Sequence, residues 1–198
     1  YDLTALQREA NRSLGYTAQQ TLDYLQALYE KKLCTYPRTD SRFLTDDLEP
    51  SVPELVAVAA AICETTAPEG VNAKQVCDSR KVSDHHAILP TASAVKADTS
   101  VLPLGEREIL RLVAGQLLRA VSDAHRYAET AVTLECGGAV FTVKGRTTLV
   151  PGWKQYLTQE KRDAALPELS EGQVLECAEA AVKEGKTTPP KHYTEDTL

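Results

Sequence analysis

The sequence is poor in the features that mark several protein classes. Its five cysteines (Cys34, Cys63, Cys77, Cys136 and Cys177) are odd in number and include no CxxC pair. Neither a disulfide framework nor a zinc cluster is therefore expected, and no metal-ligating set is assigned. Long apolar runs are missing too: the longest, at 55–63, is too short to span a bilayer, so no membrane association is expected. Nor is there an excess of cations. With 22 Lys and Arg against 28 Asp and Glu the net charge is -6, which excludes a uniformly basic nucleic-acid wrapper but leaves room for a local basic site. No secretory signal opens the chain, which argues for a cytoplasmic protein. The chain begins at Tyr1 rather than Met and ends in what reads as a helix start, so an excerpt from a longer protein is expected. There is no internal repeat.

What is present is globular in composition. The 198 residues are 42% hydrophobic and 25% charged, with 10 Gly and 10 Pro, enough for one good-sized core or two small lobes. Thr4 with Gln7 is a candidate capping box for a first helix, whose Leu6, Ala10 and Leu14 recur at helical spacing until Gly15. Thr17 with Gln20 opens a second helix, whose Leu22, Leu25, Tyr29 and Leu33 form an apolar stripe. A third is expected from Ser51 through Ile62, with Pro53 and Glu54 in its first turn. The passage 71–103 is mixed and loop-rich. Residues 105–121 predict a fourth helix with Leu110, Val113, Leu117 and Val121 on one face.

From Tyr127 the period becomes two. Val132, Leu134 and Cys136 alternate with polar residues, Gly137 and Gly138 offer a tight turn, and 139–144 is the return strand. Another short strand is expected at 147–150, a polar linker at 158–171 and a last strand at 173–182. The fold class is α+β, a helical domain followed by a β-rich segment.

Three segments carry candidate chemistry. The first is LCTYPRTDSRF (33–43), at a helix exit. Pro37 pushes Tyr36 towards extended geometry, and Arg38, two residues on, points to the same side in an extended chain. A phenol titrates near 10 and needs a proton acceptor or a cation to become a nucleophile, while a guanidinium can grip a phosphate bidentately. Together they suggest phosphoryl transfer to a tyrosine; a solvated loop with Arg38 paired to Asp40 fits the same residues. The second is SDHHAILPT (83–91), where one of two adjacent histidines could face a phosphate while Asp84 holds its tautomer. A helix start capped by Asp84 is the alternative. The third is TPPKHYTEDTL (188–198), where Lys191, His192 and Tyr193 combine a cation, a switchable ring and a stacking surface suited to single-stranded nucleic acid, and Thr194 resembles a helix N-cap.

In this order and spacing the segments resemble type IA DNA topoisomerases, and among them the topoisomerase III branch. LYEKKL (28–33) running into TYPRTDS (35–41) is similar to that family's active-site motif, and DHHAILPT (84–91) to its histidine motif. TPPKHYTE (188–195) is similar to the stretch leading back towards the enzyme body, and YDLTALQREAN (1–11) to its lead-in helix. The likeness covers essentially the whole chain. It implies that Tyr36 attacks the scissile phosphate of one DNA strand, forming a 5′-phosphotyrosyl link, and that Arg38 binds that phosphate. It implies that His85 contacts DNA phosphate, with His86 the less favoured choice, and that Lys191, His192 and Thr194 touch DNA. It further implies a helical domain with the tyrosine at 1–125, a β-rich hinge segment at 126–178 and the start of a single-strand-DNA-binding domain at 179–198. Implied cofactor and partners are Mg²⁺ held by a domain absent from this chain, no ATP, single-stranded DNA, the rest of the parent chain, and a helicase as a candidate.

Two departures stand out. The family's DxDxE-type acidic motif has no match, since Asp46-Asp47 and Glu195-Asp196 lack its spacing, so the isolated chain is expected to be inactive. At His192 many members carry arginine. The competing reading is a non-enzymatic nucleic-acid-binding module.

Overall fold

A computed structural model of the chain describes residues 1–95, 97–157 and 163–198. The chain falls into two units: Tyr1–His125 with Pro151–Glu160 and Tyr193–Leu198, and Arg126–Val150 with Lys161–His192. The expected α+β composition is what is found.

The first unit is built on four α-helices: α1 (Leu3–Leu14), α2 (Ala18–Glu30), α3 (Val52–Ile62) and α4 (Leu104–Val121). α4 packs on α2 and α3, and α1 packs on α2. Its face of Ile109, Leu110, Val113, Leu117, Leu118 and Val121 is buried against Leu6, Leu25, Leu28, Val52 and Val56. Each such side chain contributes roughly 1.5–3 kcal/mol on leaving water. α2 begins as expected, with Thr17 and Gln20 exchanging both capping-box hydrogen bonds. α1 does not. Its N-cap is Asp2 rather than Thr4, with a carboxylate that accepts from the Ala5 amide at 2.6 Å and from Arg42 at 2.6 Å. A charged acceptor suits the positive helix start better than a hydroxyl, and Arg42 anchors it from outside the helix. The stripe of α2 also differs. Thr21, Leu25 and Leu28 are buried, whereas Tyr29 is exposed.

Between α3 and α4 the chain makes short 3₁₀ turns at Ala73–Gln75, Ser79–Lys81, Ala92–Val95 and Thr99–Val101. No helix among the described residues is long and apolar enough to cross a membrane.

The second unit holds one antiparallel ribbon, β1 (Arg126–Cys136) and β2 (Ala139–Val150), joined at Gly137-Gly138. Both turn glycines have positive φ, 58° and 78°, the requirement of a tight primed turn. The two return strands expected at 139–144 and 147–150 are one strand. Gly145 does not break it, for it pairs with Thr130. A Cβ there would sit 2.5 Å from Leu166 Cγ and 2.8 Å from the Ala164 carbonyl oxygen, so the glycine admits a close chain rather than ending the ladder. The strand expected at 173–182 is absent: the segment has no regular structure, and Val174 and Val182 are exposed. A strand exists only through a ladder partner, and among the described residues β1 and β2 pair with each other alone. Of the linker expected at 158–171, residues 158–162 lie outside the described residues; 163–171 has no strand or helix.

Candidate active site

The end of α2 sets the site. Lys32 sits in the left-handed region at φ 61°, and two backbone bonds close the exit: Lys32 N–H to Tyr29 O at 2.8 Å and Leu33 N–H to Leu28 O at 2.8 Å. Lys31 pairs with the mostly buried Glu106 at the start of α4. The direction in which the chain leaves α2 is thus held from two sides.

Beyond this turn the segment 33–43 is laced to 85–91. Thr35 N–H donates to Leu89 O at 2.9 Å, and the Leu89 amide donates back to Thr35 Oγ1 at 2.9 Å. Thr91 N–H reaches Leu33 O at 3.0 Å, and Ala87 N–H reaches Phe43 O at 2.9 Å. The buried Thr39 is the centre of the lacing. Its hydroxyl donates to the His85 carbonyl at 2.7 Å and accepts from the Ser41 amide at 3.1 Å. Buried Ser41 in turn donates to Lys81 O at 2.9 Å. These are neutral hydrogen bonds of about 1 kcal/mol net each, but a buried hydroxyl or carbonyl left without its partner costs more, so the two loops keep one mutual register.

That register brings Tyr36 and His85 together. Their ring centroids are 4.3 Å apart with planes inclined 37°. The Tyr29 ring stands nearly perpendicular to Tyr36, 5.6 Å away at 85°. Tyr36 is half-buried and His85 exposed. His86 turns away: its Nδ1 lies 2.7 Å from the Ala87 carbonyl oxygen. Residues 83–85 form a bend, not the helix start that an Asp84 cap requires.

Arg38 is exposed and makes no hydrogen bond or ion pair among the described residues. Asp40, offered above as its partner, accepts instead from Ser83 Oγ at 2.9 Å. A guanidinium two residues from the phenol, with no internal partner among the described residues, is suited to an incoming anion. Cys34, two residues before Tyr36, is no rival nucleophile, because complete burial pushes its thiol up to about 12.

The third segment is split between the units. Lys191 and His192 are exposed in the second. Thr194 belongs to the first, where 194–198 forms a single turn closed by Leu198 N–H to Thr194 O at 2.9 Å. That turn docks on α1 through Asp196, which pairs with Arg8 at 3.2 Å and whose amide meets Asn11 at 3.1 Å. Among the described residues no hydrogen bond links Thr194 to the Tyr36 loop. Tyr29, Thr39 and Ser41 fall inside the motif stretches 28–33 and 35–41, but the sequence assigns none of them a role of its own. For Tyr29 a further hint is that it is a tyrosine among leucines in the stripe of α2, a ring whose polar tip resists full burial.

A family model described as DNA topoisomerase matches residues 1–198. The chain is 39% identical over 212 residues to DNA topoisomerase 3 of Bacillus licheniformis and 38% identical over 213 residues to that of Bacillus subtilis; each match covers 100% of this chain and 29% of the relative. DNA topoisomerase 3 of Vibrio cholerae is 39% identical over 212 residues, covering 100% of this chain and 32% of that protein. The chain therefore spans less than a third of the length of these relatives. Among solved structures, full-length topoisomerase I from Thermotoga maritima shares the fold with a TM-score of 0.67 at 24% identity, over 87% of this chain and 29% of that one.

Proposed function

The chain belongs to the DNA topoisomerase family, on its type IA, topoisomerase III-like side, and from that premise we propose that it is the nucleophile-bearing part of an enzyme that cuts and reseals one DNA strand. The observation that carries the reading is Tyr36, half-buried against the His85 ring, with Arg38 two residues on, its guanidinium without a partner among the described residues.

In this reading Tyr36 Oη bonds to the scissile phosphorus and gives up its proton. The bond from phosphorus to the 3′ oxygen breaks, and that oxygen takes up a proton and leaves as a 3′-hydroxyl. One phosphodiester has replaced another, so the reverse attack restores the strand without ATP. The guanidinium of Arg38 holds the phosphate oxygens and offsets the charge that develops on them and on the phenol oxygen. His85 approaches the phenol by its ring, which leaves its nitrogens to meet phosphate. Lys191, His192 and Thr194 are assigned to the DNA backbone further along the strand. The segment 1–125 is the tyrosine-bearing domain, 126–178 part of a hinge arch, and 179–198 the return to the domain that cradles single-stranded DNA. The enzyme works in the cytoplasm on single-stranded stretches of DNA, with the rest of its own chain as first partner; a helicase partner rests on the resemblance alone.

The resemblance assigns Mg²⁺ to a part of the parent enzyme outside this chain. Among the described residues no group of three or more His, Cys, Asp or Glu side chains is placed to hold a metal ion, and the carboxylate in the tyrosine loop, Asp40, is taken by Ser83. The residues here do not fit such a site, and no step is routed through one.

The test is covalent capture. A 3′-labelled single-stranded oligonucleotide is incubated with the full-length protein carrying this chain and Mg²⁺, then quenched with SDS. A protein-linked band that Tyr36→Phe abolishes is expected, with Arg38→Ala lowering its rate about 10²–10³-fold, the cost of losing one transition-state donor. No band with either protein, alongside retained DNA binding, selects the non-enzymatic binding module.

A further inference from the structure

Tyr29 is an exposed aromatic on a rigid element. It occupies the last turn of α2, is 40% exposed and takes no part in the buried core. Its place is well held, since Tyr29 O closes the helix exit with the Lys32 amide at 2.8 Å and Lys31 is tied to Glu106. Among the described residues the one ring it touches is Tyr36, and its hydroxyl makes no hydrogen bond to any of them.

The backbone on both sides of Tyr36 is fixed by the lacing through Thr35 and Thr39. What remains free is the rotation of the side chain. A phenol with several staggered wells spends only part of its time aimed at a phosphate, and each excluded well raises the fraction poised to react. The Tyr29 ring at 5.6 Å and the His85 imidazole at 4.3 Å both pack against the phenol ring, and rotating it away from them would forfeit those contacts. A near-perpendicular pair of rings is also attractive in itself, because the positive edge of one meets the negative face of the other.

We propose that Tyr29 is a positioning residue that holds the Tyr36 ring in its attacking rotamer, through ring packing and not through its hydroxyl. The proposal rests on the reading of Tyr36 as the nucleophile.

The experiment compares Tyr29→Ala, Tyr29→Leu and Tyr29→Phe in the full-length protein. Single-turnover formation of the SDS-stable adduct on the 3′-labelled oligonucleotide is measured beside the oligonucleotide Kd, taken by anisotropy in a Tyr36→Phe background. The expected result is an adduct rate about two- to tenfold lower in Tyr29→Ala and Tyr29→Leu, the worth of one aromatic pair, with Kd unchanged and Tyr29→Phe at the parent rate. Leu keeps apolar bulk without a ring, so its agreement with Ala separates ring packing from folding. An undiminished rate in Ala and Leu overturns the proposal. So does a fall in Phe equal to that in Ala, which makes the hydroxyl the working group, or a rise in Kd by the same factor as the loss of rate. A band that survives Tyr36→Phe alone overturns the nucleophile reading itself, and is thereby told apart from a failure confined to Tyr29.

Discussion

Every buried apolar side chain described, from Leu6 to Val121, belongs to the helical unit, while the ribbon unit leaves Val140, Phe141, Val143 and Leu149 between 41% and 67% exposed. The two regions are thus stabilised by different means. The helices bury stripes against one another and fix loops between them. The ribbon is held by its ladder, its tight turn and surface pairs such as Glu129 with Lys144 and Arg146, which solvent and salt weaken. A two-stranded ribbon alone is marginal in water. The chemistry follows the same division: a tyrosine that must be aimed sits on the region with a core, and the region without one carries neither Tyr36 nor His85.

The contrast is most exposed to test by truncation. Leu118→Ala should cost about 2–5 kcal/mol, read from the urea midpoint by circular dichroism. Phe141→Ala in the ribbon should stay within about 0.5 kcal/mol. Equal costs would mean that the ribbon has a core of its own.

The next effect is alkaline. A hydrogen bond to Glu108, and then burial, raise the Tyr16 phenol from 10.0 to about 12; burial, partly opposed by Arg119, raises Tyr1 from 10.0 to about 12. A group whose folded value is raised lends stability that is full below its unfolded value and is lost as the pH climbs through the folded one. The urea midpoint of the helical unit should therefore fall between pH 10 and 12, and Tyr16→Phe should flatten part of that fall. An unchanged slope in Tyr16→Phe would remove this phenol from the account.

The smallest effect lies at the helix exit. Lys32 holds a left-handed φ of 61° that a side chain resists. Lys32→Gly should raise stability by up to about 1 kcal/mol, since the relief of strain outweighs the extra freedom of glycine when unfolded. A loss of stability would show that the Lys32 side chain itself holds the exit.

Much of the helical unit was legible because its signals are local. The Thr17–Gln20 box, the Gly15 stop and the face of α4 each depend on residues within a few turns. Where a distant residue intervened, the reading slipped. The cap of α1 is Asp2, whose carboxylate is also held by the distant Arg42, and the chain at Ala164–Leu166 explains Gly145 within β2. Alternation at 173–182 without a ladder partner did not make a strand. The candidate site divides in the same way. Tyr36 and Arg38 stand out in the motif, whereas Tyr29, although inside the motif stretch 28–33, is given no role there and counts in the apolar stripe of α2 because its spacing matches.

Composition, caps and periodicity therefore carried the α+β class and the starts and stops of most helices, which depend on neighbours along the chain, while the reading of the tyrosine loop came from the family resemblance. Which rings meet at Tyr36, which of two adjacent histidines faces it, and that Asp40 bonds Ser83 and not Arg38 were decided by folding. The contacts responsible, such as Thr39 to His85 across 46 positions and Leu89 to Thr35 across 54, join segments that no period or turn rule relates. They depend on the common core of the helices, which sets the two loops side by side.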